Sequence, residues 1–153
     1  MPSVLQLYRT LSRLPKGREL FSVSFARKAP YFRTVKPRFV ALRPNYAEVV
    51  IANRKAVHNH IGTVHAIAVC NGLEAAMGGL AEVTVPAGMR WLPKGMEVEY
   101  VAKSTSDIIC IAETRETDWE TGPDVPVKVT AKRTDGTVVV RGTIRLWVTE
   151  VPA

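Results

Sequence analysis

The segment covering residues 63–78, TVHAIAVCNGLEAAMG, constrains the fold of this chain more than any other part of the sequence. It is long enough for several helical turns and is apolar on nearly every face, so we predict a helix that is buried all round. Such a helix needs other elements wrapped around it to exclude water. We therefore expect the rest of the chain to enclose one central helix.

The residues after this helix show the alternation typical of strands. Residues 97–103 and 107–114 alternate well, and Ser104-Thr105-Ser106 is expected as the turn between them. Residues 125–133 and 137–149 are joined by Asp135-Gly136, which strongly indicates a two-residue hairpin. In the last strand one face is predicted to be apolar: Val138, Val140, Ile144, Leu146 and Val148.

The residues before the central helix divide into two helices and two strands. Helical spacing of apolar residues covers 3–14, and a second helix is expected from about 18 to 28. Strands are expected at 36–42 and 46–53, with Arg43-Pro44-Asn45 as a turn. The sequence thus predicts an α+β domain with an antiparallel sheet wrapped on a central helix, preceded by a helical extension at 1–35.

The basic excess is concentrated in the first part of the chain. The net charge is +7, but residues 1–60 alone hold 12 basic and 2 acidic side chains. This asymmetry is compatible with an anionic partner, namely nucleic acid, membrane headgroups or a phosphorylated ligand. No recognised nucleic-acid motif accompanies it, so no nucleic acid is expected as a partner. The Arg-rich start also has the composition of a mitochondrial transit peptide, although Pro15 interrupts it.

Cellular location is predicted from two further features. No apolar run approaches the ~20 residues of a membrane span, so none is expected. The two cysteines are too few for a disulfide framework and lie in apolar surroundings, which favours a reducing compartment. We expect a cytoplasmic protein.

Glu74 is the residue of the central helix that most needs an explanation. A carboxylate is costly to bury without a partner, and residues 63–78 contain no Lys or Arg. Glu74 is therefore solvated at an edge, hydrogen-bonded to another chain, or placed there for function. Other polar residues cluster where the helix starts: Asn59, His60, Gly62 and His65.

Helical geometry limits how these groups can meet. His65 and Glu74 are nine positions apart, about two and a half turns, so they would face opposite sides roughly 13 Å apart along the axis. If the two residues share a site, two copies of the chain must supply it, which predicts a functional homodimer. Free N–H groups near residues 64–67 would suit an oxyanion, and a nearby carboxylate could act as general base or as nucleophile.

At these residues the sequence resembles a known family. The stretch NHIGTVHAIAVCNGLE is similar to the Asn-x-x-Gly-x-x-His-(Gly/Ala)…(Asp/Glu) motif of hotdog-fold acyl-CoA thioesterases of the phenylacetyl-CoA type. With RWLPKGMEVEYVAKS, the sequence resembles more closely an uncharacterised bacterial branch of that superfamily, a domain of unknown function. The resemblance implies a hotdog domain at 36–153. It also implies an acyl-CoA substrate and a homodimer or dimer of dimers with sites shared between subunits.

The resemblance also implies roles for single residues. Asn59 matches the Asn that places the substrate carbonyl or the water, and His65 matches the His where the helix begins. Ala66 stands where a Gly usually supplies the oxyanion-hole N–H. Glu74 matches the acidic base or nucleophile, which is Asp in the phenylacetyl branch.

Other residues are candidates for binding the substrate rather than for the reaction. Gly62 of the motif is one. Arg54, Lys55, Arg90 and Lys94 could contact the phosphates of coenzyme A, although surface charge is the simpler role. Trp91 and Met89 could line an acyl pocket, although core packing is the simpler role. No metal is expected, because His58 and His60 lack partner cysteines or acids. No cofactor is expected beyond the coenzyme A of the substrate.

Three other functions remain open from the sequence. The first is non-catalytic binding of acyl-CoA or fatty acyl groups on the same fold. The second is binding to nucleic acid or a membrane surface through the basic first half, and the third and weakest is a hotdog dehydratase.

Overall fold

The computed structural model describes residues 2–152. Three α-helices, α1 (Val4–Leu11), α2 (Gly17–Lys28) and α3 (Ala66–Thr84), and short 3-10 helices at Pro30–Thr34, Lys55–Val57 and Glu116–Trp119 accompany one sheet. Its strands are β1 (Arg38–Arg43), β2 (Tyr46–Ile51), β3 (Met89–Tyr100), β4 (Ile108–Glu113), β5 (Asp124–Arg133) and β6 (Val138–Glu150). The predicted α+β class is confirmed.

The sheet has six antiparallel strands in the order β1-β2-β4-β5-β6-β3, and α3 packs against its inner face. The fit is close, because a Cβ at Gly72 would lie 2.7 Å from Cys110 Sγ, and one at Gly79 would lie 2.4 Å from the Phe39 ring. By length and composition alone α3 is long and apolar enough to cross a membrane. Buried core helices can have the same length and composition. Here the helix is mostly buried and forms the centre of the core, as its sequence predicts.

The predicted hairpin near the C-terminus is confirmed, but its loop has three residues, 134–136, rather than two, because the Arg133 N–H donates to the Thr137 carbonyl. The alternation along β6 also differs from the prediction. β5 and β6 pair antiparallel, and Gly136 has the positive φ of 86° that the turn between them requires. A bulge in the pairing lies between Ala131 and Lys132. As a result Val139 and Val140 are both buried, whereas Val138 is only half-buried, contrary to the predicted alternation.

The prediction for the third strand is wrong in extent and in partner. The strand covers Met89–Tyr100 rather than 97–103, and it pairs with β6 rather than with β4. Pro93 and Gly95 hide its alternation, and a bulge separates them in the pairing with β6. Residues 104–106 therefore do not form a hairpin turn but belong to a connection from one edge of the sheet to its middle.

This arrangement leaves β3 as an edge strand of 12 residues. Its inner face contacts the core through Trp91 and Val98, while most of its residues are exposed. A long edge strand presents unpaired backbone groups that can pair with another strand. The position of β3 therefore gives a second copy of the chain a place to extend the sheet.

The N-terminal extension shares the hydrophobic core of the sheet and α3. Tyr8 of α1 packs edge-on against Phe21 of α2, with ring centroids 5.1 Å apart. Phe21 and Phe25 in turn contact Phe39 of β1, at 5.4 and 4.8 Å. Aromatic pairs of this kind stabilise the fold beyond the burial of their surface, so they stabilise the contact between the extension and the sheet.

Candidate functional site

The loop before α3 is organised by the side chain of Asn59. Its Oδ1 accepts hydrogen bonds from the N–H groups of Ile61 (3.2 Å) and Thr63 (3.1 Å), and its Nδ2 donates to Thr63 Oγ1 (2.9 Å). Gly62 has a φ of 79°, and its N–H donates to the Asn59 carbonyl at 3.2 Å. Asn59 therefore shapes the loop, and Gly62 supplies the left-handed backbone that the turn needs.

The first turn of α3 has a side-chain cap and two free donors. His65 is the N-cap residue, and its Nδ1 accepts a hydrogen bond from the Ile67 N–H at 3.0 Å. The N–H groups of Val64 and His65 donate to the carbonyls of Ser104 and Val57. Within residues 2–152, the Ala66 and Ala68 N–H groups have no acceptor. The free donors at the positive end of the helix thus begin at Ala66.

Glu74 lies in the middle of α3 and is half-buried. Its carboxylate makes no hydrogen bond or ion pair with any other residue in the described range 2–152. Burial raises the pKa of this carboxyl above its ordinary value, because partial removal of water disfavours the charged form. A half-buried carboxylate with a raised pKa and no partner is typical of a functional site.

Two adjoining cavities meet at Glu74. One, of about 420 Å³, extends between α3, the N-terminal extension and the first half of β3. The other, of about 330 Å³, lies beside it towards the start of α3 and includes Ile67, Cys70 and Asn71. Because Glu74 borders both, its carboxylate is accessible to a ligand that occupies either cavity.

The loop before α3 and the first residue of the helix line a different depression. Asn59 and Ala66 border a hollow of about 310 Å³, together with Tyr100 and Ser104. Neither residue borders the cavities that meet at Glu74. Within a single chain, Asn59 and Ala66 therefore open onto a different cavity from Glu74, while the exposed His65 borders none of the three cavities.

Arg90 and Lys94 lie on the outer face of the sheet. Arg90 Nε donates to Thr149 Oγ1 at 3.3 Å. Lys94 Nζ lies 3.2 Å from Asp124 Oδ2 and 4.4 Å from the centre of the Trp147 ring. Neither residue borders the cavities at Glu74 in its own chain, so their predicted contact with coenzyme A stays a prediction.

Cys70 and His58 each lie beside a polar side chain. Burial raises the pKa of the Cys70 thiol, which lies 3.9 Å from the Tyr100 hydroxyl, so the thiol stays protonated. His58 Nε2 is 2.5 Å from Asn53 Oδ1. Residues 2–152 contain no group of three or more His, Cys, Asp or Glu side chains that could hold a metal ion.

The sequence did not indicate most of the walls of the cavity of about 420 Å³, the larger of the two that Glu74 borders. Its lining comes from α1, α2, α3 and β3, and includes Leu7, Phe25, Phe32, Gly78 and Trp91. Of the two residues that the sequence suggested for an acyl pocket, Trp91 borders this cavity and Met89 does not. A signal for another lining residue was present in Gly78-Gly79, two adjacent glycines that helix propensity alone would not favour.

The chain is similar to a family of domains and to solved structures. The family model described as Domain of unknown function (DUF4442) matches residues 17–148. None of the curated proteins matches the chain. The crystal structure named genomics APC5556 is 40% identical over 97% of this chain and 99% of that one, with a TM-score of 0.85.

Two more distant structures have the same fold. A thioesterase family protein from Silicibacter pomeroyi is 20% identical, covers 85% of this chain and 99% of its own, and has a TM-score of 0.67. A thioesterase from Haemophilus influenzae is 7% identical, covers 80% of this chain and 85% of its own, and has a TM-score of 0.68. The hotdog fold predicted from the motif around residues 59–74 is confirmed.

Proposed function

The chain belongs to the DUF4442 family of hotdog-fold domains, and on that premise we propose that it hydrolyses an acyl-CoA thioester at a site shared between two copies of the chain. The observation that carries the proposal is Glu74, a half-buried carboxylate with a raised pKa that borders two cavities. Solved structures of the same fold, named thioesterases, support the reaction class.

The proposed reaction uses the two ends of the site in different roles. Glu74 accepts a proton from water as the water oxygen bonds to the thioester carbonyl carbon. The carbonyl oxygen becomes an oxyanion, which the Ala66 N–H stabilises by hydrogen bonding. When the intermediate collapses, the C–S bond breaks, the acyl group leaves as a carboxylic acid, and the coenzyme A thiolate takes up a proton.

A second route through Glu74 gives the same products. The carboxylate can attack the carbonyl directly, expel the thiolate and form an anhydride that water then hydrolyses. A single turnover in H₂¹⁸O can reveal the second route. Hydrolysis of the anhydride at its Glu74 carbonyl places ¹⁸O in the Glu74 side chain, an outcome that attack of water on the thioester cannot give.

The edge position of β3 supports the sharing of the site. If two copies pair their β3 strands antiparallel, the Tyr100 end of one strand lies beside the Met89 end of the other. The hollow with Asn59 and Ala66 includes Tyr100, and the larger cavity at Glu74 includes Trp91. The pairing would therefore bring Ala66 of one copy towards Glu74 of the other.

The reaction is tested by following release of free thiol from a panel of acyl-CoA thioesters. Replacing Glu74 with Gln should lower kcat/KM by about 10²- to 10⁴-fold, because it removes the proton acceptor without changing the shape. Glu82→Gln is the matched control, since Glu82 lies on the same helix and borders the same cavity. Equal turnover by Glu74→Gln and the wild type would refute the role of Glu74.

Sharing of the site is tested by mixing two inactive variants. Glu74→Gln and Asn59→Ala are refolded together, so that mixed dimers form. If each site takes Asn59 from one copy and Glu74 from the other, a mixed dimer has one intact site, and an equal mixture recovers about a quarter of wild-type activity. If both residues act within one chain, the mixture stays inactive.

The apolar walls of the larger cavity favour one other function, which is binding of an acyl group without turnover. It predicts saturable binding of acyl-CoA and no thiol release from any member of the panel. Glu74→Gln would then leave the affinity unchanged or increase it.

A further inference from the structure

We propose that the cavity of about 420 Å³ beside Glu74 binds the straight aliphatic acyl chain of the substrate, and that Gly78 and the N-terminal extension set the length of chain it takes. The inference rests on the proposed thioester hydrolysis. It adds a substrate class, the acyl-CoA of a medium-length linear fatty acid, and gives a function to the first 35 residues.

The N-terminal extension builds one wall of this cavity. Leu7 of α1, Phe25 of α2 and Phe32 of the following 3-10 helix face the cavity from the extension. Trp91 and Pro93 of β3 and Met77 of α3 face it from the other side. Without residues 1–35, α3 would expose this face to water, so the extension converts an open surface into a binding cavity.

The shape of the cavity favours an extended chain. Its lining follows α3 from Glu74 to Glu82, which is about 12 Å at the rise of 1.5 Å per residue. A methylene needs a space similar to the ~30 Å³ of a water molecule in the liquid, so the cavity has room for roughly 14 non-hydrogen atoms. A linear chain of about ten carbons can extend along this length, whereas a phenylacetyl group, although it has only two carbons fewer, is too short to reach the end near Glu82.

Gly78 keeps the middle of the cavity open. The two other glycines of α3 are required by packing, because a Cβ at Gly72 or Gly79 would come within 2.7 Å of a neighbouring side chain. At Gly78 a Cβ would lie 3.6 Å from Trp91 Cη2 and 3.7 Å from Phe25 Cζ, which is ordinary contact. Neighbouring atoms therefore leave room for a Cβ at Gly78, and its missing side chain leaves space for a ligand.

The reacting end of the ligand is set by Glu74. Glu74 lies four residues, or about one helical turn, before Gly78 on α3, and both residues border the cavity. A chain lying past Gly78 thus has its carbonyl end next to the carboxylate. The pantetheine arm would then leave through the adjoining cavity, towards the start of α3.

The experiment compares chain lengths in the wild type and in variants of the cavity. The substrates are acetyl-, hexanoyl-, decanoyl- and phenylacetyl-CoA, and kcat/KM is measured for each. The variants are Gly78→Leu, which fills the cavity, and Gly78→Ala, whose Cβ fits. Leu7→Ser opens the wall, and Leu14→Ser is its matched control, since Leu14 is 57% exposed and lies outside the cavity.

The expected result is a change of selectivity rather than a general loss. The wild type should prefer decanoyl-CoA over phenylacetyl-CoA by about tenfold or more, since each extra buried methylene adds to discrimination. Gly78→Leu should lower kcat/KM for decanoyl-CoA at least about tenfold and change acetyl-CoA less than about twofold. Leu7→Ser should weaken only the longer chains, while Leu14→Ser changes none.

A second readout keeps the inference separate from the reaction. Displacement of the fluorescent fatty acid cis-parinaric acid by decanoate measures the cavity without turnover. If no thioester is hydrolysed but Gly78→Leu abolishes this binding, the proposed function fails and the acyl site stands. Equal losses for acetyl- and decanoyl-CoA, or decanoate binding that Gly78→Leu leaves intact, would overturn the inference. If Gly78→Leu does not fold, Leu7→Ser against Leu14→Ser decides it.

Discussion

Glu74 and Gly78 lie one helical turn apart on α3 and border the same cavity, so the carboxylate is adjacent to a gap in the packing. Part of the side chain is shielded from water, while no other residue in the described part of the chain donates a hydrogen bond to it. The chemical behaviour of Glu74 therefore depends on what fills the gap, and its titration is the first property to measure.

The dependence of activity on pH should reveal the raised pKa of Glu74. If the ionised carboxylate accepts the proton from water, kcat/KM falls as the pH is lowered through the pKa of Glu74 in the free enzyme. Burial raises that pKa, so the acid limb should lie above the ordinary value of about 4.3. Glu82→Gln should leave the limb in place. A limb at or below the ordinary value would contradict this assignment.

The stability of the Glu74→Gln variant should differ from that of the wild type in a pH-dependent way. Because the pKa of Glu74 is raised in the folded state, the folded chain binds the proton more tightly than the unfolded chain. The stabilisation from this proton is complete below the ordinary pKa and is lost as the pH rises through the raised one.

Gln cannot ionise, so above that window Glu74→Gln should have a higher Tm than the wild type, and below about pH 4 the difference should disappear. Thermal unfolding followed by circular dichroism at several pH values measures this. A residue placed for function often lowers stability, and its removal then raises the Tm. A Tm of Glu74→Gln below that of the wild type at pH 8 would show that the carboxylate is paired in solution.

Adjacent glycines on α3 should respond in opposite ways to the same substitution. Gly78→Ala should stabilise the protein by about 0.5–1 kcal/mol, because Ala is the better helix former and its Cβ meets Trp91 and Phe25 at ordinary distances. Gly79→Ala should destabilise it, because its Cβ would lie 2.4 Å from the Phe39 ring. Urea denaturation of both variants measures the two free energies of unfolding. Destabilisation by Gly78→Ala as well would mean that the gap at Gly78 closes in solution, and stabilisation by Gly79→Ala would contradict the crowding against Phe39.

How far the sequence predicts the fold depends on how local each signal is. The central helix and the Asp135-Gly136 hairpin are encoded within a few neighbouring residues, and both are confirmed. The partner of β3 is not encoded locally, since its residues pair with β6, about fifty positions further along the chain. Pro93 and Gly95 also conceal half of that strand. The expected turn at 104–106 failed because proximity in sequence was taken for pairing.

In the candidate site, too, the features encoded by neighbouring residues could be predicted, whereas contacts between distant segments could not. The motif indicated Asn59, His65 and Glu74. In the structure Asn59 and Glu74 border different cavities, and the exposed His65 borders neither of them. The cavity walls could not be predicted, because Phe25 and Trp91 come together only through packing between distant segments. Nor did the motif reveal that Asn59 uses its amide to hold its own loop.

His65 offers a test that separates a structural role from a chemical one. Its Nδ1 caps α3 through the Ile67 N–H, so in the neutral ring the proton is on Nε2 and available to a ligand. His65→Ala removes the cap and should cost about 1 kcal/mol of stability. Asn is a good N-cap residue, so His65→Asn should restore most of that loss.

If the imidazole also orients the reactants, His65→Asn should remain at least about tenfold below the wild type in kcat/KM despite its recovered stability. Chemical denaturation and thiol-release kinetics on the same samples measure the two quantities. The comparison is informative because the cap needs only an acceptor near the Ile67 N–H, whereas a contact with the reactants needs the Nε2 donor on the other side of the ring. Full recovery of turnover by His65→Asn would reduce His65 to a helix cap and leave Glu74 and the Ala66 N–H as the groups that act on the thioester.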